Sequence, residues 1–404
     1  RSYEAFSSLD LRGFDAVISG KYPAWMVEHP HHVCYMLHRL RGLYDSYPGQ
    51  PELPDDLAAH PGVAALRWFM RRYPGSRTAL PEFFGRWNEL TAGAQPPGML
   101  DFPGPLAREL VHWLDAIALA PQAISRYAAI SATVATRPGY FPQGIEVAVA
   151  HPPPHRPQAP GSRADHFFTA SRLDGPKRVD LLIEAMRQVR TDLPLIIAGT
   201  GPEEARLRKM GAGDPRIRFV GFQSDSEVSE LYRNALAVPF VPYQEDYGLI
   251  AVEAMQCAKP VITTRDSGGP CELVEDEMSG LVCDDSAKSL SLAMQRLADD
   301  RELAQAMGKR ALERASRITW PAVAEALFPA RWASPRTRLA RTRKLIAVST
   351  FPIHPPRHGG QSRSFHLYRA LMPEFETVIV SVCPASDSPF SGEIAPGAPA
   401  TPPR

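Results

Sequence analysis

An α/β chain built on doubly wound parallel sheets is the fold that the sequence predicts, on three observations. First, the strands from His166 onward are apolar throughout, as in "LPLIIAG", "LAVPFVP" and "KPVITT", which is the pattern of strands covered on both faces. Second, amphipathic helices alternate with them; "RVDLLIEAMRQVR" sets Val179, Leu182, Ile183, Met186 and Val189 on one face. Third, 404 residues are too many for one ordinary core, so a second domain is expected.

Taken in order, "FDAVISG" and "HHVCYMLH" predict two strands of a first α/β domain over residues 1–150. Between about 46 and 105 that domain carries a Pro- and aromatic-rich insertion. It holds two helices, near "PGVAALRWFMRRY" and "LPEFFGRWNEL", and "PLARELVHWLDAIALA" follows as an amphipathic helix. "HPPPHRPQAPGSRAD", residues 151–165, is a linker by composition, too poor in apolar surface to order itself.

The second domain, 166–318, alternates strand and helix from "HFFTAS" to "SAKSLSLAMQRLADD". Residues 319–328 form a closing helix. The stretch 329–344, "PARWASPRTRLARTRK", has six basic residues and no acid. Residues 345–383 then read strand, loop with Gly359-Gly360, helix, strand, which is the opening unit of another α/β domain. The tail, 384–404, reads as disordered.

Composition narrows the function classes. The formal net charge of +1 gives no whole-molecule reason to expect nucleic acid as a partner. Five scattered cysteines without a CxxC pair argue against a disulfide framework or a zinc site and for a reducing, cytoplasmic setting. No apolar run approaches the ~18 residues of a spanning helix. The 41 prolines, roughly twice ordinary usage, gather at the seams between segments.

The residues that could carry chemistry lie after strands and before helices. Ligands of open α/β sheets bind at that carboxyl edge. "AGTGPEE" (Ala198–Glu204) has the position of a dinucleotide loop, but Glu204 replaces the third glycine, and two acids at a helix start repel a pyrophosphate. No GxxxxGK[ST] occurs. In "TASRLDGPKRVD", Arg172 and Lys177 flank a turn and suit a diphosphate, one as a fork and one as a point charge; a solvated basic loop is the alternative. In "QEDYGLIAVEA", Gly248 opens a helix whose free amides favour an anion, with Glu245 before it and Glu253 inside it. Two such acids can accept from sugar hydroxyls, or they can be a dipole-stabilising acid and a solvated one. "SGGPCELV" adds Gly268 and Gly269, read as a flexible turn or an ordinary glycine turn. The two readings part on convergence, because these loops share one sheet edge.

These stretches resemble the donor domain of the retaining GT-B glycosyltransferases, the "group 1" or family 4 type. The resemblance rests on "SRLDGPKRVDLLIEA", "IIAGTGPE", "VGF", "FVPYQEDYGLIAVEAMQCAKPVITT" and "GGPCELV", in order over nearly all of 166–318. It implies a GT-B-like pair of Rossmann-like sheets facing across a cleft. It also implies transfer of a sugar from a nucleotide-diphosphate donor with retention and without a bound metal or cofactor. By that carry-over Arg172 and Lys177 hold the diphosphate and Glu253 accepts from the ribose. Glu245 accepts from the donor sugar, Gly248 and Leu249 offer amides, and the base lies near Gly221 and Phe222. More weakly, residues 1–150 resemble the later part of the family's acceptor domain, with His38 where many members carry an active-site histidine. A structural histidine is the alternative there. The implied partners are a nucleotide-sugar and a glycan or lipid-linked acceptor, in surface polysaccharide assembly. The basic stretch 329–344 is either an exposed linker or a peripheral contact with an anionic membrane.

At both ends the family pattern is departed from, leaving the first domain incomplete or permuted. The strand, glycine loop and helix that open a family member are missing at the front and stand at the back, with Gly359 and Gly360 in the loop that touches the donor side. With Arg1 in place of a start methionine, a fragment of a tandem transferase is expected in preference to a permuted unit. Two rivals remain: a nucleotide-sugar epimerase of related shape, and a nucleotide-binding scaffold segment without turnover.

Overall fold

The structure, a computed structural model, describes residues 2–50, 52–93, 95–154, 158–329, 343–349, 353, 359–372 and 375–381. Strands β1 (Ala16–Lys21), β2 (His32–His38), β3 (Arg126–Ala129) and β4 (Val147–Val149) come first. They are followed by β5 (His166–Ala170), β6 (Leu195–Ala198), β7 (Ile217–Gly221), β8 (Ala235–Pro239), β9 (Val261–Thr264) and β10 (Gly280–Cys283). β11 (Lys344–Ser349) and β12 (Glu376–Ser381) end the series. They form two six-stranded sheets, ordered β12-β11-β1-β2-β3-β4 and β10-β9-β8-β5-β6-β7, and every pairing within them is parallel. The α/β class with two doubly wound sheets follows from this directly.

The chain divides into two compact units, one of Arg1–Ile130, Val134–Ala150 and Ala324–Arg404, the other of Ser131–Thr133 and His151–Val323. In the first, β1 lies between β2 and β11, with Ala16 opposite Leu345 and Ser19 opposite Val348. The tandem reading placed 345–383 at the start of a separate transferase; here β11 and β12 instead extend the sheet that β1 begins. Both flanks of β1 need a partner because the strand is buried from Ala16 to Ser19, where an unpaired amide edge is costly. The helix Gly359–Leu371 connects these last two strands.

The insertion forms helices Pro61–Arg72 and Leu80–Ala92, as their periodicity predicts, and a short third one, Asp55–Ala59. The helix Pro105–Ala118 buries Leu106, Leu110, Leu114 and Ile117, and Asp115 sits fully buried among them. That carboxylate is satisfied by the Tyr3 hydroxyl at 2.6 Å, the Trp25 indole N–H at 2.8 Å and the Tyr44 hydroxyl at 2.7 Å, with Arg39 Nη1 at 3.5 Å. Asp115→Ala strands a buried guanidinium and three donors; it lowers the unfolding free energy by about 3–5 kcal/mol, read from the denaturant midpoint.

In the second unit the chain goes from β5 outward through β6 and β7, then crosses back to β8 on the other side of β5. That reversal makes a topological switch point between β5 and β8. Phe167, Leu182, Ile183, Ile197, Ala237 and Leu290 pack into the core beneath it. Ser224 and Glu227 make a reciprocal capping box for the helix Asp225–Asn234. The linker 151–165 has no helix or strand in its described part, yet Pro152, Pro153 and Pro154 are buried. Proline rings bury apolar area at little entropic cost, so this segment orders more than its composition suggests. Most of the basic stretch (330–342) and all of the tail 384–404 lie outside the described residues.

Candidate active site

The loops leaving the switch point are shaped first by backbone. Loop 171–177 runs against loop 199–203: Ser171 N–H donates to Ala198 O at 3.1 Å, Leu173 N–H to Thr200 O at 2.9 Å, and Glu203 N–H to Leu173 O at 3.0 Å. A Cβ on Gly199 would stand 1.9 Å from Ser171 O, and one on Gly201 2.3 Å from Leu173 O. The glycines of "AGTGPEE" are thus required by chain packing, which accounts for them without a dinucleotide.

A second ladder joins the loops after β8 and β9. Gln244 N–H donates to Asp266 O at 3.0 Å, Glu245 N–H to Ser267 O at 2.9 Å, and Gly269 N–H back to Glu245 O at 2.9 Å. Gly268 has φ +75°, and a Cβ there would meet Glu245 O at 2.6 Å; one on Gly269 would meet Tyr247 Cα at 2.5 Å. The pair expected as a flexible turn is a close clasp, in which any side chain would push Glu245 away. Gly248, at φ +85°, ends the loop and starts the helix Leu249–Gln256. Among the described residues no side chain caps that helix start; Ala251 N–H donates to Gly248 O at 3.0 Å, and Leu249 N–H, at the first position, is of the kind that favours an anion.

On this frame Lys177 Nζ donates to Glu245 Oε2, the two side chains being 21% and 26% exposed. Lys177 is the last residue of a short 3-10 turn, Gly175–Lys177, and its ammonium lies 5.9 Å from the centroid of the Phe240 ring. Arg172, on the same loop, reaches Asp174 with Nε at 3.1 Å and is 71% exposed. The sequence places both cations at this edge, and the structure adds that Lys177 is paired with Glu245 inside the protein.

Glu253 sits on the second turn of the helix Leu249–Gln256. Its Oε2 accepts from the Tyr232 hydroxyl at 3.2 Å, and burial pushes its carboxyl up to about 7, with Asp225 adding to the rise and the Tyr232 bond opposing it. The resemblance implies a ribose hydroxyl as the partner of Glu253; the protein supplies a hydroxyl of its own in Tyr232. Tyr232 is fully buried, its ring 4.9 Å from that of Phe168 in an edge-on contact. Its place in the amphipathic "SELYRNA" marks it as a core residue, and nothing local signals its bond to a residue 21 positions on. At the end of β7, Gly221 (φ +70°) accepts the Gly199 N–H at 2.7 Å, and the next ring, Phe222, is 81% exposed.

The remaining candidates belong to the first unit. His38 ends β2; its Nδ1–H donates to Arg39 O at 2.6 Å, which leaves Nε2 as the lone-pair nitrogen. Burial lowers its pKa to about 4, the Arg39 carbonyl opposing the fall and Lys21, Arg363 and Arg41 adding to it. The imidazole is therefore neutral at pH 7. Gly359 and Gly360 are the first residues of the helix after β11.

The fold is thus that of a doubly wound α/β protein, whose switch-point loops bring Lys177 and Glu245 together near a helix start without a side-chain cap. Comparison with known proteins narrows this. Residues 155–314 match the family described as "Glycosyl transferases group 1". Among curated relatives, a D-inositol 3-phosphate glycosyltransferase of Corynebacterium kroppenstedtii is 35% identical over 168 residues, 39% of this chain and 37% of the relative. One of the same name from Kineococcus radiotolerans is 28% identical over 215 residues, 46% and 49% of the two chains. The chain thus spans less than half the length of these relatives. Among solved structures, a sucrose-phosphate synthase of Thermosynechococcus elongatus aligns with TM-score 0.48 and 23% identity, covering 56% of this chain and 61% of that one. An Anabaena protein, HepE, solved with UDP and glucose, aligns with TM-score 0.46 and 17% identity over 75% and 95%.

Proposed function

We propose that the chain is a retaining glycosyltransferase that needs no metal and moves a sugar from a nucleotide-diphosphate donor to a glycan or glycolipid acceptor, in surface polysaccharide or glycolipid assembly. The observation that carries this reading is the Lys177–Glu245 pair beside the uncapped helix start at the switch point. Lys177 and the exposed Arg172 offset the charge that grows on the diphosphate as the anomeric carbon–oxygen bond breaks. The first-turn amides from Gly248 and Leu249 hold the diphosphate, Glu245 accepts from the donor sugar, Glu253 accepts from the ribose hydroxyls, and the base lies at Gly221 and Phe222. The acceptor hydroxyl bonds to the anomeric carbon on the face the diphosphate leaves, and its proton passes to the departing phosphate oxygen. His38, whose neutral imidazole keeps its lone pair on Nε2, is assigned a role toward the acceptor by the family resemblance alone.

The second reading is a nucleotide-binding scaffold without turnover. Among the described residues no helix is long and apolar enough to cross a membrane; peripheral contact with an anionic membrane through 329–344 is a proposal from its charge alone. One experiment separates the readings. Hydrolysis and transfer are measured with UDP-, GDP- and ADP-sugars, with inositol 3-phosphate and glycolipid acceptors, beside binding of the bare nucleotides. Transfer from one donor is the expected result. Tight nucleotide binding with no turnover from any donor points to the scaffold.

A further inference from the structure

Arg178 follows Lys177 and takes a left-handed backbone, φ 48° and ψ 42°, a region where L-residues with a Cβ are uncommon and glycine is at ease. An arginine at such a position calls for a side-chain reason, and the guanidinium supplies one. Nη1 and Nη2 donate to Asp266 Oδ2 and Oδ1, both at 2.7 Å, a two-pronged pair. Nη2 also donates to Thr264 Oγ1 at 2.8 Å and Pro242 O at 3.0 Å, and Nε donates to Val241 O at 2.8 Å. One planar group therefore fastens the loop after β5 to those after β8 and β9. Around it, Tyr243 N–H donates to Pro176 O at 2.7 Å, and the Tyr243 ring centroid lies 5.8 Å from the guanidinium carbon.

We propose that Arg178 is a positioning residue: without touching the ligand, it fixes the distance between the loop that bears Lys177 and the loop that bears Glu245. This rests on the glycosyltransferase reading of the same site. The geometry supports action through Lys177 because the two are neighbours in the chain, while the carbonyls that Arg178 binds lie three or four residues before Glu245. Lysine cannot replace it, since a single ammonium does not span acceptors from four residues on two separate segments.

The test uses two variants, alone and in a Lys177→Ala background. Arg178→Gly deletes the fork while suiting the backbone, and Arg178→Lys keeps the charge. Both are expected to lower kcat for donor hydrolysis about 10- to 30-fold, with the Kd of the bare nucleotide within about 3-fold of the parent. In the Lys177→Ala background the further loss shrinks below about 2-fold, because groups acting as one unit are not additive. A loss of equal size in both backgrounds overturns the inference, since Arg178 then acts independently of Lys177. Undiminished kcat in folded Arg178→Gly also overturns it while Lys177→Ala is impaired, and leaves the site reading standing. Full turnover in both Lys177→Ala and Arg178→Gly overturns the site reading itself. Should the glycine variant not fold, Arg178→Lys and Asp266→Asn decide by the same criteria.

Discussion

Lys177→Ala lowers turnover of a nucleotide-sugar by roughly 10²–10³-fold, the scale of losing one preorganised group that faces developing charge. Two effects add. The cation that offsets the leaving diphosphate is gone, and Glu245, its partner in the structure, becomes an uncompensated carboxylate. At an effective dielectric of about 20, two unit charges about 4 Å apart interact by about 4 kcal/mol, so the orphaned acid repels the diphosphate substantially. The two effects come apart in a double variant. Lys177→Ala/Glu245→Gln regains affinity for the bare nucleotide relative to Lys177→Ala alone, because the repulsion is removed. Its turnover stays low, because no cation meets the transition state. Lys177→Arg restores the charge but spreads it over a wider fork, and recovers part of kcat. Steady-state kinetics with parallel equilibrium binding read all three variants. Wild-type kinetics in Lys177→Ala would remove the basis of the proposed site.

How much of this was legible in the sequence follows the range of the interactions. The strands of the second unit and the helices between them were readable because burial on both faces leaves a local mark, an unbroken apolar run or a 3.6-residue stripe. That the loops bearing Lys177 and Glu245 leave the same sheet edge was readable too, since each follows a strand and precedes a helix. What failed was pairing over distance. Nothing local tells β11 to lie beside β1 rather than to open a sheet of its own, because two parallel apolar strands are interchangeable in composition. The same holds for Lys177 with Glu245, 68 positions apart, and for Tyr232 with Glu253. The backbone clasps at Gly199, Gly201, Gly268 and Gly269 look in one dimension like ordinary glycine loops. Arg178 carries no mark in one dimension; its left-handed φ and five short bonds appear only in the fold.

Donor binding is expected to tighten as pH rises through about 7, with release of a proton from Glu253. Without ligand its carboxyl stands at about 7 against an ordinary 4.5, mainly because burial disfavours the charged form. Ribose hydroxyls donating to the carboxylate favour the ionised form, so binding and deprotonation assist each other. The same shift has a stability consequence of opposite sense. A glutamate whose folded pKa is raised contributes stability that is fully present below about 4.5 and is lost as pH climbs through about 7. The ligand-free protein is thus less stable at pH 8 than at pH 5 by an amount bounded near 3 kcal/mol, taking about 1.4 kcal/mol per pKa unit. Glu253→Gln abolishes both dependences: it weakens donor binding at pH 8 by about tenfold or more, flattens the pH profile, and raises the unfolding midpoint of the free protein at pH 8. The intact nucleotide-sugar is the right probe, because its esterified diphosphate has no proton to lose in this range. Calorimetry at pH 7 in two buffers of different ionisation enthalpy reads the released proton directly. Equal heats in the two buffers, with affinity flat from pH 6 to 8, would show that no ribose meets Glu253 and would leave Tyr232 as its only established partner.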